Sequence, residues 1–268
     1  MAEDEQALPG IDIRRPNMAR MYNYALGGKD NFASDREAVQ NLFRLAPENA
    51  YVPKANRQFL GTAVRFAAEQ GIAQFLDLGA GLPSQGSTHE VARLAQPDAR
   101  VVYVDSDPVV LAHARALLVG NDSGLAVIDE DIRDTGRILE HPQTRRLIDF
   151  SQPAAVLFVA VLHGIPDADD PAGIVARLVG ELPPGSWLAI AHPASDVARD
   201  KVATMTDRYN QRVTTAATLR THAEISAFFA GTELLPPGVV QYHQWHPGEP
   251  ARDAEGEVAA YCGLGRKL

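Results

Sequence analysis

Cysteine is nearly absent from this chain: Cys262 stands alone in 268 residues, so no internal disulfide can form. That fits a reducing compartment. Long apolar runs are missing too, and the longest, Ala154 to Leu162, is too short to span a bilayer as a helix. Positive charge is in deficit, with 25 Lys and Arg against 34 Asp and Glu and a net charge of −9. Nucleic-acid binders usually carry a basic face that neutralises phosphates, so no nucleic-acid partner is expected. The opening residues, Met1-Ala2-Glu3-Asp4-Glu5, are acidic and polar, unlike a secretory signal. The expectation is a cytoplasmic protein with no membrane partner. Metal spacing is also lacking: His243 and His246 flank Trp245 without acid or cysteine partners, and no metal is expected.

What is present reads as one α/β domain with an extension. The 46% hydrophobic content suffices for a sizeable core. Residues 1–52 read as an N-terminal cap and 53–268 as the main domain. Ser34-Asp35-Arg36-Glu37 has the form of a capping box opening a helix with Ala38, Val39, Leu42 and Phe43 on one face. A second helix is expected from Pro53 to Gln70, ended by Gly71. Strand-like segments then recur at Gln74–Leu78, Arg100–Val104, Leu125–Asp129, Ala154–Val161 and Ser186–Ala191. Between them lie helix starts: a capping box from Ser87 to Glu90, and Asp-Pro pairs at Asp107-Pro108 and Asp170-Pro171, with Gly120 closing the helix after the first pair. Strands alternating with helices imply a parallel sheet covered on both faces. Beyond it, a helix from Ser195 to about Val213 and another capped at Thr221 lead to two strand-like runs, Val239–Trp245 and Val258–Leu264. A polar loop with Pro247, Gly248 and Gly256 joins them as an antiparallel hairpin.

The chemistry is written at the strand ends. Phe75-Leu76-Asp77-Leu78-Gly79-Ala80-Gly81-Leu82-Pro83 is a strand that ends in an acid and enters a glycine turn. Gly79 and Gly81 allow tight turning and close ligand approach. A carboxylate at Asp77 would repel a dinucleotide pyrophosphate but suits the cationic methionine end of S-adenosylmethionine. The third glycine of the dinucleotide fingerprint is replaced by Ser84. Asp105, with Ser106 beside it, ends the next strand and can accept both ribose hydroxyls, as nicotinamide sites also do. Asp131 can accept an adenine amino group, with Ile132 beside the ring. His163 follows the strand ending near Val161 and can act as a general base, a role for which His192 is a weaker candidate. The strand before His163 does not end in Asn-Pro-Pro-Tyr or Asp-Pro-Pro-Tyr, which argues against methylation of base amino groups. Gly27-Gly28-Lys29 lacks the spacing of a phosphate loop.

Four blocks carry a family resemblance: Arg20 to Phe32 with its Gly27-Gly28-Lys29-Asp30-Asn31-Phe32 run, Asn56 to Leu60, Phe75 to Pro83 with His89-Glu90-Val91-Ala92, and Val102 to Pro108. Together with Val161 to Asp167 they resemble the actinobacterial S-adenosylmethionine-dependent methyltransferase family once catalogued as a domain of unknown function, the 574 group. Where this chain has Asn23, the common form has Asp. The resemblance implies a class I, Rossmann-like methyltransferase fold: a mostly parallel seven-stranded sheet, a C-terminal antiparallel hairpin and an N-terminal helical cap. It also implies S-adenosylmethionine as cofactor and S-adenosylhomocysteine as product, and leaves the acceptor open.

The expected contacts to the cofactor are Asp77, Gly79, Ala80, Gly81, Asp105, Ser106, Asp131 and Ile132, joined by Tyr22 and Asn31 from a segment, Arg14 to Phe32, expected to close over it as a lid. The leading expectation is methyl transfer to an oxygen or nitrogen of a small molecule. The alternatives are a cofactor-binding regulator without catalysis and a nicotinamide oxidoreductase on a similar sheet.

Overall fold

The computed structural model describes residues 12–45, 47–83, 86–116, 122–211, 213, 215–249 and 258–268. Helices α1 (Met18–Ala25) and α2 (Ala33–Leu45) lead to the long helix α3 (Val52–Glu69). The alternating part follows: β1 (Gln74–Leu78), α4 (Thr88–Ala92), β2 (Arg100–Asp105), α5 (Pro108–Ala114), β3 (Leu125–Asp129), α6 (Thr135–Glu140), α7 (Pro142–Leu147), β4 (Ala155–Val159), α8 (Pro171–Gly180) and β5 (Trp187–Pro193). Two helices, α9 (Arg199–Asn210) and α10 (His222–Ala227), precede β6 (Thr232–Leu234), β7 (Val240–Gln241) and β8 (Ala260–Lys267).

Strands β1 to β5 are parallel, in the order β3-β2-β1-β4-β5, and β8 and β6 extend the path beyond β5. Strand β8 runs antiparallel to β5, and β6 and β7 share its outer edge. Strand order reverses between β1 and β4, which opens a crevice at the carboxyl ends of the strands.

Alternation along the strands feeds two cores. Phe75, Val101, Tyr103, Leu157 and Ala189 face Phe59, Ala63, Val64 and Ala67 of α3. Leu76, Leu78, Val102, Val104 and Val156 face Ile138, Leu147, Ile174 and Leu178 of α6, α7 and α8. Burying α3 this way is possible because its small alanines let it lie close to the sheet. A third, smaller core lies apart, where Met21, Ala38, Val39 and Val213 pack with Phe43 and Tyr209. It joins α1 and α2 to the α9 region.

Several boundaries differ from the sequence reading. The Ser34 capping box does not form: α2 starts at Ala33, the Ser34 hydroxyl donates to the Ile13 carbonyl, and Asp35 reaches back to the Phe32 amide. Strand β4 stops at Val159 because Ala160 adopts a positive φ of 57°. The expected Ser195 to Val213 helix is shorter, since α9 spans Arg199–Asn210. The Val239–Trp245 run makes only the two-residue β7 before tightening into a 3-10 turn, and β6 had no strand signal of its own. The capping boxes at Ser87 and Thr221 and the Asp107 and Asp170 caps do form. Ser84, Gly120 and Gly256 lie outside the described residues.

Candidate active site

A cavity of about 660 Å³ opens at the carboxyl ends of the strands, a volume typical of small-molecule sites. Of the site residues expected from sequence, Tyr22, Asp77, Gly79, Ala80, Gly81, Asp105, Ser106, Asp131, Ile132 and His163 all line it.

Asp77 is buried on the α3 side of β1, and its carboxylate accepts a hydrogen bond from the Thr88 hydroxyl at 2.7 Å. Burial pushes its pKa up to about 6, against the pull of Thr88 and the charge of Arg57. Arg57, on the face of α3 above the strand ends, lines the same end of the cavity. An anion and a cation thus stand together beside the glycine turn.

The turn itself is fixed by two needs. Gly79 has φ +67°, and a Cβ there would overlap the side chain of Val161. Gly81 has φ +66°, with open space where a Cβ would stand. Its amide donates to Asp105 Oδ2 at 2.9 Å, while Asp105 Oδ1 accepts from the Asp107 amide. Burial raises the Asp105 pKa, and these amides oppose the rise. Asp107 in turn caps α5 and accepts from the Asn17 side chain, which ties the start of α1 to the loop after β2.

Asp131 sits at the rim. Arg133 donates to it from its backbone amide, Nε and Nη2, and these bonds hold its carboxyl below the usual range. Arg133 also reaches Asp169 at 2.9 Å.

His163 lies in the tight turn after β4, and its Nδ1 is buried without a hydrogen-bond partner. Burial, with a smaller push from Arg220, lowers its pKa to about 4, so the ring is neutral near pH 7. His192 does not line the cavity. Its Nε2 accepts from Arg220 Nη1 at 2.8 Å and its Nδ1 meets the Pro193 carbonyl, which leaves no ring nitrogen for chemistry. Arg220 is buried and also donates to the Leu162 and Ile165 carbonyls and to Asp167. It holds the turn that carries His163.

The N-terminal segment divides. Asn17, Met18, Met21, Tyr22 and Ala25 line the cavity. The Tyr22 hydroxyl donates to Asn56 Oδ1 at 2.7 Å, and Asn56 donates to Tyr242. Asn31, expected at the cofactor, does not line the cavity, and neither do Lys29 and Asp30. The Asn31 amide is turned inward and donates to Asn23 Oδ1 and the Gly28 carbonyl. Asn23 Oδ1 also accepts from the Asp30 amide. The segment needs an acceptor at position 23, which asparagine supplies without a charge.

Sequence reasoning missed Arg57, Thr88 and the whole wall from α9 and the chain after it: Val202, Met205, Thr206, Tyr209, Thr215, Ala217 and Leu219. Arg57 stood inside one of the resemblance blocks. The α9 wall had only a helical pattern to mark it.

A doubly covered parallel sheet closed by one antiparallel strand, with a glycine turn opening on its switch point, defines a class I S-adenosylmethionine-dependent methyltransferase. The chain belongs to the S-adenosyl methyltransferase family, whose profile matches residues 4–268. Among solved structures it is similar to a protein of the 574 family from Streptomyces avermitilis MA-4680 (38% identity, TM-score 0.88, 96% of this chain and 99% of that one). It is equally similar to a candidate methyltransferase from Thermobifida fusca YX (40% identity, TM-score 0.88, 97% of each chain). At 16% identity and TM-score 0.50 the fold is shared with the N-methyltransferase NodS of Bradyrhizobium japonicum WM9 in complex with S-adenosylhomocysteine, over 86% of this chain and 98% of that one. No curated protein matches the chain. Family membership sets the nicotinamide reading aside. Among the described residues no helix is long and apolar enough to cross a membrane, and no group of His, Cys, Asp and Glu could hold a metal ion.

Proposed function

We propose that the chain transfers the methyl group of S-adenosylmethionine to an oxygen or nitrogen of a small molecule, with residues 1–52 as a cap and 53–268 as the catalytic domain. One observation carries this reading: the cavity is divided by polarity. Its charged side chains all come from α3, β1, β2 and the loops after β2 and β3, while α1, α2, α9 and the ends of β4 and β5 contribute none. The charged half fits the cofactor. Asp77 faces the ammonium and Arg57 the carboxylate of the methionine end, Asp105 accepts the ribose hydroxyls, and Asp131 accepts the adenine amino group. Ile132 backs the ring. Gly79, Ala80 and Gly81 let the ligand approach the backbone, with Ser106 beside them, and Tyr22 forms part of the roof.

When bound, S-adenosylmethionine supplies a methyl group on a positively charged sulfur, already activated for displacement. The protein's contribution is therefore alignment and exclusion of water. His163 faces the other half as a neutral imidazole. It can accept a hydrogen bond from a protic acceptor and orient it, but an imidazole with a pKa near 4 binds a proton too weakly to store it at neutral pH.

Incubation with S-adenosylmethionine tritiated in its methyl group, together with small hydroxyl and amino compounds, is expected to yield labelled product and S-adenosylhomocysteine in equal amounts. Tight cofactor binding with no label passed to any oxygen or nitrogen acceptor would refute methyl transfer of this kind. Within the same site, Asp105→Ala should weaken S-adenosylhomocysteine binding by about 1.5–3 kcal/mol, because charge-assisted hydrogen bonds are the strong ones. Calorimetry on the folded variant measures this, and an unchanged affinity would remove Asp105 from the ribose.

A further inference from the structure

The chain has four methionines, at positions 1, 18, 21 and 205. Met18, Met21 and Met205, the three after Met1, all line this cavity. They come from α1 and α9, helices that take no part in the sheet. The Met18 methyl lies 3.6 Å from where a Cβ of Gly164 would stand, against the turn that carries His163. Thioether side chains are flexible and polarizable, fit themselves to irregular or flat ligands, and make favourable contacts with aromatic rings.

The same wall cannot pair an ion. Among the described residues it carries no charged side chain, and an ion moved there from water would lose its solvation without compensation. Its hydrogen-bonding capacity is small and partly used: the Thr206 hydroxyl already donates to the Val202 carbonyl. His163 also lines this cavity: its Nδ1 is buried without a partner, while the rest of the ring is partly exposed. In a neutral imidazole one ring nitrogen accepts, and Nε2, on the part of the ring that is not buried, is the one a ligand in the cavity can meet.

We infer that the methionine-lined half is the acceptor compartment and that it takes a neutral, largely apolar ring compound bearing a hydroxyl directed at His163. This rests on the methyltransferase reading and narrows it to a substrate class. It selects oxygen over an ionised amine, because an ammonium would find no counter-charge among these side chains.

The methionines themselves provide the test. The full chain is labelled with methyl-carbon-13 methionine, saturated with S-adenosylhomocysteine and titrated with 2-naphthol as probe. Volume-conserving Met→Leu substitutions at 18, 21 and 205 assign the signals. All three cavity methyls are expected to shift on addition of 2-naphthol. Naphthalene, lacking the hydroxyl, and 2-naphthoate, carrying a charge, should each bind about tenfold more weakly or worse. Cavity methyls that stay still at the solubility limit of 2-naphthol overturn the inference, as does 2-naphthoate or naphthalene binding as tightly as 2-naphthol. Calorimetry with S-adenosylhomocysteine alone separates the two readings. Failure of that binding refutes the cofactor site and the inference with it, whereas normal cofactor binding with silent methionines refutes the acceptor compartment alone.

Discussion

Gly81→Val is expected to remove measurable S-adenosylhomocysteine binding from a protein that still folds. The residue has φ +66°, a region where a β-branched side chain costs on the order of 1–3 kcal/mol. A folded domain can survive that cost, because nothing lies within 4 Å of the Cβ position and no packing is broken. The open space is the cavity itself, and a valine side chain would stand where the ligand must approach the backbone. Bending the turn to relieve strain would also move the amide that donates to Asp105. Both effects act on the ligand and neither on the core. Gly79 is a poorer test, since a side chain there collides with Val161 and mixes folding with binding. Calorimetry beside a thermal melt decides the matter: a folded Gly81→Val protein with ordinary affinity would show that the turn does not touch the ligand.

Asp35→Ala should destabilise the cap by about 3–5 kcal/mol, because it strands a buried charge. Arg20 Nε lies 2.9 Å from Asp35 Oδ2, with side-chain exposures of 4% and 0%. Asp35 also accepts from the amides of Asn17 and Phe32, so one carboxylate fixes both ends of the segment that contains α1. Its loss should loosen α1, speed amide exchange across residues 17–32 and weaken cofactor binding, since Tyr22 and its neighbours roof the cavity. Adding Arg20→Met should recover part of the lost stability by removing the stranded charge. In the native protein, S-adenosylhomocysteine should slow exchange in the same segment. Exchange indifferent to cofactor would make the segment a structural strap, and an unchanged melting temperature in Asp35→Ala would refute the clamp.

Much of the fold was legible because its determinants are local. Asp107-Pro108 and the Thr221 box cap their helices with atoms two or three residues away. The acids at 77, 105 and 131 stand out because each ends or follows an apolar strand. Where a distant partner competed, local reading failed. Ser34 looked like a cap, but its hydroxyl goes to Ile13 and its neighbour Asp35 serves Arg20. Asn31 looked like a ligand handle, yet Asn23 turns it inward. Arg57 and Thr88 reach Asp77 across separations that no spacing rule reports. The α9 wall escaped notice because helical periodicity says which face is apolar but not that the face covers a cavity.

On the proposed reading of the site, Asp77 should tie ligand uptake to acidity. Its folded pKa near 6 exceeds the ordinary 3.8, mainly through burial, so the folded chain holds a proton there more firmly than the unfolded one does. The stability this proton contributes is complete below about pH 3.8 and is lost as pH rises through 6. A ligand ammonium beside the carboxylate reverses the preference by favouring the ionised form. Around pH 6 the arrival of such a cation and the departure of a proton become one event. The heat of binding there is expected to contain the ionisation heat of the buffer, and affinity is expected to fall as the solution is made more acid.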